Sequence, residues 1–106
     1  MNAQDELKTR DMEILFQPFH SRKLSTPTRI VLPAMTRGFS PNGVPTDQVA
    51  AYYKRRAGHE VGLIITEGTF IDEPSASPSS NYPNFFGGAS LRGWKKVLEA
   101  VHTTDC

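Results

Sequence analysis

The chain is poor in cysteine: of 106 residues, only Cys106, the last, carries a thiol. One thiol cannot close an internal disulfide, which excludes a disulfide-stapled secreted scaffold and makes the cytoplasm the expected location. The terminal position argues against a catalytic or structural-metal role for Cys106. Charge of one sign is also missing, since 12 basic and 11 acidic side chains leave a net charge of +1. That balance argues against nucleic acid as a partner. Arg22-Lys23 is an isolated pair, and Lys54-Arg55-Arg56 reads as a solvated helix end. No apolar run approaches the ~20 residues of a membrane span. Met1 to Asp11 is polar and lacks the basic-then-apolar layout of a secretory signal. His20, His59 and His102 are too scattered for metal-ligand spacing, so no metal site is expected.

What is present is an alternation of short apolar runs and periodic segments. Ile30-Val31-Leu32 and Val61-Gly62-Leu63-Ile64-Ile65 are β-rich apolar runs of the kind found in buried parallel strands. They predict strands over 29–33 and 61–66. Pro33 suits the end of the first, because it cannot donate to a ladder. Between the strands, Thr46 and Asp47 open a helix predicted over 46–57, with Thr46 as N-cap and an acid in the first turn. Val49, Ala50, Tyr53 and Ala57 recur at helical spacing as its inward stripe, and Gly58 stops it. A second helix is predicted over 90–102, capped by Ser90, with Leu91, Trp94, Val97, Leu98 and Val101 as its stripe. Residues 1–12 show no apolar periodicity and are expected to be disordered. From Gly68 to Ala89 the chain has four Ser, three Pro and two Asn, a loop long enough to be functional or disordered. Strand, helix, strand, helix is the repeating unit of a parallel α/β fold, in which chemistry gathers at the carboxyl ends of the strands.

Seven blocks, in order, carry a more specific resemblance: Leu15-Phe16-Gln17-Pro18-Phe19, Thr28-Arg29-Ile30-Val31, Met35-Thr36-Arg37, Gly43-Val44-Pro45-Thr46, Tyr52-Tyr53-Lys54-Arg55-Arg56-Ala57, Gly62-Leu63-Ile64-Ile65-Thr66-Glu67-Gly68-Thr69 and Gly93-Trp94-Lys95-Lys96-Val97. Over about residues 14 to 102 the chain resembles the old yellow enzyme family, FMN-dependent NAD(P)H oxidoreductases that reduce activated alkenes. The resemblance implies a (β/α)8 TIM barrel. Such barrels need ~250 residues, so residues 13–106 are expected to supply the N-terminal portion: a lead-in hairpin and about two βα units of a truncated domain. Residues 103–106 depart from the small, Gly-rich pattern usual in the family there, which reads as a truncation.

The resemblance also implies site residues. Ala34 and Met35 would meet the flavin through backbone atoms, Thr36 through its hydroxyl, and Gly68 by lacking a side chain beside the ring. Taken alone, a strand-end Thr36 reads more readily as a cap on a loop amide than as a ligand; the surrounding blocks shift the weight to a ligand. The family order places a proline immediately before the apolar residue and threonine, whereas here Pro33 comes one place earlier, which moves the missing N–H from Ala34 to Pro33. Glu67 has no visible acid–base partner and reads as structural. Tyr52 and Tyr53 read as helix packing. No catalytic residue is expected in the chain, because the family's substrate-binding pair, proton donor and phosphate anchor come from later strands. The expected function is thus that of an FMN and NAD(P)H alkene reductase present as an inactive portion. The alternative is a non-enzymatic remnant that self-associates, or binds another barrel fragment, through open strand edges.

Overall fold

The structure is a computed structural model and describes residues 12–106. The disorder expected for residues 1–12 therefore falls, Met12 apart, outside the described residues.

Among the described residues from Ile14 on, two short 3-10 turns, Ile14–Phe16 and Pro41–Gly43, punctuate four strands and two helices. The strands are β1 (Phe19–His20), β2 (Ser25–Thr26), β3 (Val31–Leu32) and β4 (Leu63–Ile64); the helices are α1 (Asp47–Ala57) and α2 (Gly88–Val101). β1 and β2 pair antiparallel as the lead-in hairpin, Phe19 opposite Thr26. β3 and β4 pair parallel, Val31 with Leu63 and Leu32 with Ile64. The ladder extends past the strand bounds through Gly62 N–H to Ile30 O (2.9 Å) and Ile65 N–H to Leu32 O (3.0 Å). The order β3, α1, β4, α2 is the predicted βαβα run with the predicted parallel pairing.

α1 begins where the sequence places it. Thr46 is extended (φ −94°, ψ 173°) and its hydroxyl accepts from Val49 N–H at 3.4 Å, which satisfies one of the orphan amides of the first turn. Its end is less simple. Gly58 follows the last helical residue with φ −76°, so the left-handed residue that turns the chain toward β4 is Glu60, φ 67°.

α2 departs from expectation at its start. It begins at Gly88, two residues before the predicted position, and Gly87 (φ 80°) occupies the cap without a side-chain bond. Ser90 is no cap. It is buried one turn in, and its Oγ donates to Gly43 O at 2.8 Å. The hydroxyl that could have capped the helix instead fastens it to the loop after β3.

The core lies between the helices. Val49, Ala50, Tyr53 and Ala57 of α1 are all buried, as the stripe predicts, against Trp94, Val97 and Val101 of α2. Leu32 and Ile64, paired in register, pack on this cluster from the sheet. Two residues of the α2 stripe do not join it: Leu91 is 46% exposed and Leu98 54%. They line an open apolar groove of ≈ 430 Å³ together with Leu63, Ile64 and Trp94, at the edge of the two-stranded sheet. The other face of the sheet is also uncovered, with Val31 at 45% and Ile65 at 50%.

The serine- and proline-rich segment after β4 is laced to the loop after β3. Ser40 N–H donates to Asn81 O (2.9 Å), Gly43 N–H to Ser80 O (3.0 Å) and Asn84 N–H to Gly43 O (2.9 Å). Trp94 Nε1 donates to Asn84 O at 3.0 Å, which ties the same segment to α2. Asn42 and Gly43 both take left-handed φ, 56° and 75°, the backbone that an Asn-Gly pair accommodates.

Candidate functional site

The site is assembled by the carboxyl ends of β3 and β4. Beyond Leu32 the chain runs through Pro33 to Phe39 without regular structure. Among the described residues, no hydrogen bond engages the backbone of 33–39. Ala34, Met35 and Thr36 are exposed there, Met35 by 47%. Backbone donors and acceptors left free beside a strand end are what a planar polar ligand edge requires.

Gly68 lies opposite, four residues beyond the end of β4. Its vacant Cβ position would sit 3.8 Å from Thr36 Oγ1, the nearest atom among the described residues. Two other glycines show what that distance means. At Gly62 a Cβ would lie 2.5 Å from Thr28 O, and at Gly93 2.6 Å from Pro45 O. Those positions are glycine because backbone presses on them. Gly68 is neither crowded nor left-handed, so nothing within the chain demands its small size. A flat ligand lying against it would. The four residues expected to contact flavin are all exposed, and two of them, Thr36 and Gly68, lie side by side.

Beneath this surface lies a buried polar layer that the sequence did not reveal. Glu67 is 2% exposed. Its Oε2 accepts from Tyr53 Oη at 2.9 Å, and its own N–H donates back to Tyr53 Oη, also at 2.9 Å. Glu67 is structural, as expected, but it bonds a helix side chain and not a loop. Burial pushes the Tyr53 phenol well above its ordinary range; the Glu67 carboxyl adds to the rise, while the Glu67 N–H and the Arg37 charge oppose it. On the β3 side, the Arg37 guanidinium stacks on the ring of Tyr52, 3.5 Å from its centroid, with Phe39 at 5.0 Å. Arg56 stacks on the same ring at 3.7 Å, so it is not simply solvated. Contacts of this kind reach about 2 kcal/mol when desolvated. Among the described residues, Arg37 Nη1 and Glu67 Oε1 are buried without a hydrogen-bond partner.

Tyr52 and Tyr53 pack on the core as expected; their contacts with Arg37 and Glu67 go beyond that expectation. The available signal was the tyrosine doublet itself: Tyr53 lies on the inward stripe, while Tyr52 lies off it. Their partners sit about fifteen residues away, outside any helical or strand period. His20 Nδ1 lies 3.1 Å from Ser25 Oγ within the hairpin, and His102 is the C-cap of α2. Cys106 packs against the core, and burial raises its thiol pKa. No group of three or more metal-ligating side chains occurs among the described residues, and no described helix is long and apolar enough to cross a membrane.

A parallel βαβα segment with its small and polar residues gathered at the strand ends defines the class: a parallel α/β protein. The chain belongs to the NADH:flavin oxidoreductase / NADH oxidase family, whose sequence profile matches residues 14–106. It is 35% identical over 88 residues to 12-oxophytodienoate reductase 7 of Oryza sativa subsp. japonica, covering 83% of this chain and 22% of that protein. Among solved structures it resembles morphinone reductase in complex with tetrahydroNAD, with a TM-score of 0.75 at 38% identity, over 84% of this chain and 24% of that one. Old yellow enzyme from a Pichia species matches with a TM-score of 0.77 at 33% identity, over 87% and 24%. These are TIM-barrel enzymes, and the chain spans about a quarter of their length.

Proposed function

We propose that the chain supplies the flavin-facing first quarter of a cytoplasmic, FMN-dependent reductase that passes hydride from NAD(P)H to an activated alkene. The observation that carries this reading is the meeting of Thr36 and Gly68 across two parallel strand ends, 3.8 Å from hydroxyl to vacant Cβ position. When bound, FMN supplies a two-electron carrier that accepts hydride from one substrate and delivers it to another. The chain's own residues bind and orient. Thr36 holds a hydroxyl proton at Oγ1 where it can donate to an oxygen of the ring. A donor in that place favours negative charge on the reduced form. The Ala34 and Met35 backbone offers free amides and carbonyls, and Gly68 leaves a flat wall. The name of the morphinone reductase complex records a nicotinamide analogue bound to that protein, which supports NAD(P)H as the reductant.

Activity belongs to a complete barrel in this reading. Phosphate sites in such barrels are built by the loops after strands seven and eight, and the four residues assigned here offer no phosphate anchor. The 106 residues alone are accordingly inactive, and their open strand edges favour self-association. A chimera tests the proposal: residues 14–102 replace the matching segment of morphinone reductase. The expected product is a yellow protein that oxidises NADH in the presence of an alkene. A folded but colourless chimera, beside a yellow parent, would overturn the assignment.

A further inference from the structure

The two residues assigned to face the flavin from opposite strands are each next in sequence to a residue gripped by α1. Thr36 precedes Arg37, whose guanidinium lies on the Tyr52 ring at 3.5 Å. Gly68 follows Glu67, which exchanges two 2.9 Å hydrogen bonds with Tyr53 Oη. Tyr52 and Tyr53 are consecutive, so one short piece of helix backbone sets both grips. Their rings stand edge to face, 5.2 Å apart at 82°, which fixes the angle between the two prongs. Among the described residues, no hydrogen bond joins the two strand ends directly at this level. The ladder between β3 and β4 reaches only to Ile65 N–H and Leu32 O, and the backbone of 33–39 makes no hydrogen bond among the described residues.

We propose that Tyr52 and Tyr53 are positioning residues that hold Thr36 and Gly68 at a fixed separation, and so set the width and level of the surface that receives the flavin ring. The chemistry suits the task. Tyr53 both donates to the Glu67 carboxyl and accepts from the Glu67 amide, so a single oxygen fixes main chain and side chain of one residue. Trp94 closes over Tyr53 at 6.5 Å between centroids, and Tyr53 is 2% exposed, which leaves its ring little freedom. Arg37 has no carboxylate partner among the described residues; its position is set by the Tyr52 and Phe39 rings. The importance of the separation for hydride transfer rests on the flavin reading, whereas the separation itself does not.

The test is made on the 106-residue chain without flavin. Thr36→Cys and Gly68→Cys are combined with Cys106→Ser, and disulfide closure is followed in a glutathione redox buffer at low protein concentration. Two thiols are oxidised to one disulfide as oxidised glutathione becomes two reduced molecules. The vacant Gly68 Cβ position lies 3.8 Å from Thr36 Oγ1, close enough that a disulfide between the two positions needs only a small adjustment, so closure is expected to be efficient. Adding Tyr53→Phe or Tyr52→Leu should lower the effective concentration of the two thiols by about tenfold, with helical circular dichroism retained. If Tyr53→Phe loses its helices, Glu67 carries the comparison: Glu67→Gln keeps an acceptor and closes as the parent does, while Glu67→Met falls about tenfold. Failure of the parent pair to close, or closure unaffected by either tyrosine or by Glu67→Met, overturns the proposal. A colourless chimera with tyrosine-dependent closure in this chain would remove the flavin reading and leave the positioning role standing.

Discussion

Thr36 carries the most direct chemical expectation of any single residue. In the chimera with morphinone reductase, Thr36→Ala removes one donor from the reduced ring. Hydrogen bonds to charged groups contribute on the order of 1.5–3 kcal/mol, and tenfold in rate corresponds to about 1.4 kcal/mol. Flavin reduction by NADH is therefore expected to slow by about tenfold or more, while transfer from the reduced flavin to the alkene does not slow. Stopped-flow bleaching of the flavin band separates the two half-reactions, and an unchanged reduction rate would remove the role. Tyr53 gives a second expectation, with no flavin needed. Its phenol is raised by burial, so the folded state keeps the proton that the unfolded chain gives up near pH 10. The stabilisation from the neutral phenol is full below that pH and is lost as pH rises above it. The groups that face it are Glu67, which adds to the rise, and Arg37, which opposes it. Tyrosinate absorbance from Tyr53 should thus appear together with alkaline unfolding, and Tyr53→Phe should remove that share of the pH slope. Ionisation of Tyr53 in a chain that stays folded near pH 10 would contradict this.

At the scale of elements, the helices were the most legible part of the chain, for a local reason. The α1 stripe and its Thr46 cap are set by residues within one or two turns, so periodicity finds them, and Val49, Ala50, Tyr53 and Ala57 are all buried. α2 was readable in part of its stripe, Trp94, Val97 and Val101, but not in Leu91 and Leu98 or at its start. Gly87-Gly88 carries no capping side chain, and the Ser90 hydroxyl serves Gly43, 47 residues earlier. Tyr52 and Tyr53 looked like packing because their partners, Arg37 and Glu67, are joined to them only by the folding of the sheet against α1. The glycines offer a test at this scale. Gly62→Ala would drive a Cβ to 2.5 Å from Thr28 O, and β4 or the turn before it must shift; overpacking of this kind costs about 1–3 kcal/mol. Gly68→Ala meets only ordinary contact at 3.8 Å, so its effect on stability should stay within about 0.5 kcal/mol. In the chimera the ranking inverts: Gly68→Ala should weaken FMN binding more than Gly62→Ala does. Urea unfolding of the chain and flavin titration of the chimera read the two orders. Equal stability costs would mean that Gly68 is glycine for a structural reason.

At the scale of the whole molecule, the uncovered surfaces decide behaviour. Val31 and Ile65 leave one face of the sheet half exposed, and Leu91 and Leu98 leave an apolar groove at its edge. Parallel strands are normally covered on both faces, and an open strand edge is a template for pairing with another chain. The 106 residues are therefore expected to self-associate as concentration rises, and sedimentation velocity should show the mean mass climbing with loading. Flavin is a weak competitor for this surface. It would meet Ala34, Met35, Thr36 and Gly68 along one side, with no phosphate anchor among them. Ordering a free backbone such as 33–39 costs about 1–2 kcal/mol per residue, which contacts on one side of a ring do not offset. The purified chain should be colourless, and should not reduce an alkene with NADH or NADPH. Titrated FMN should keep its fluorescence up to high micromolar protein. Stoichiometric quenching at low micromolar protein, by a species that sediments as a monomer, would show that a quarter of the barrel is enough to bind the ring.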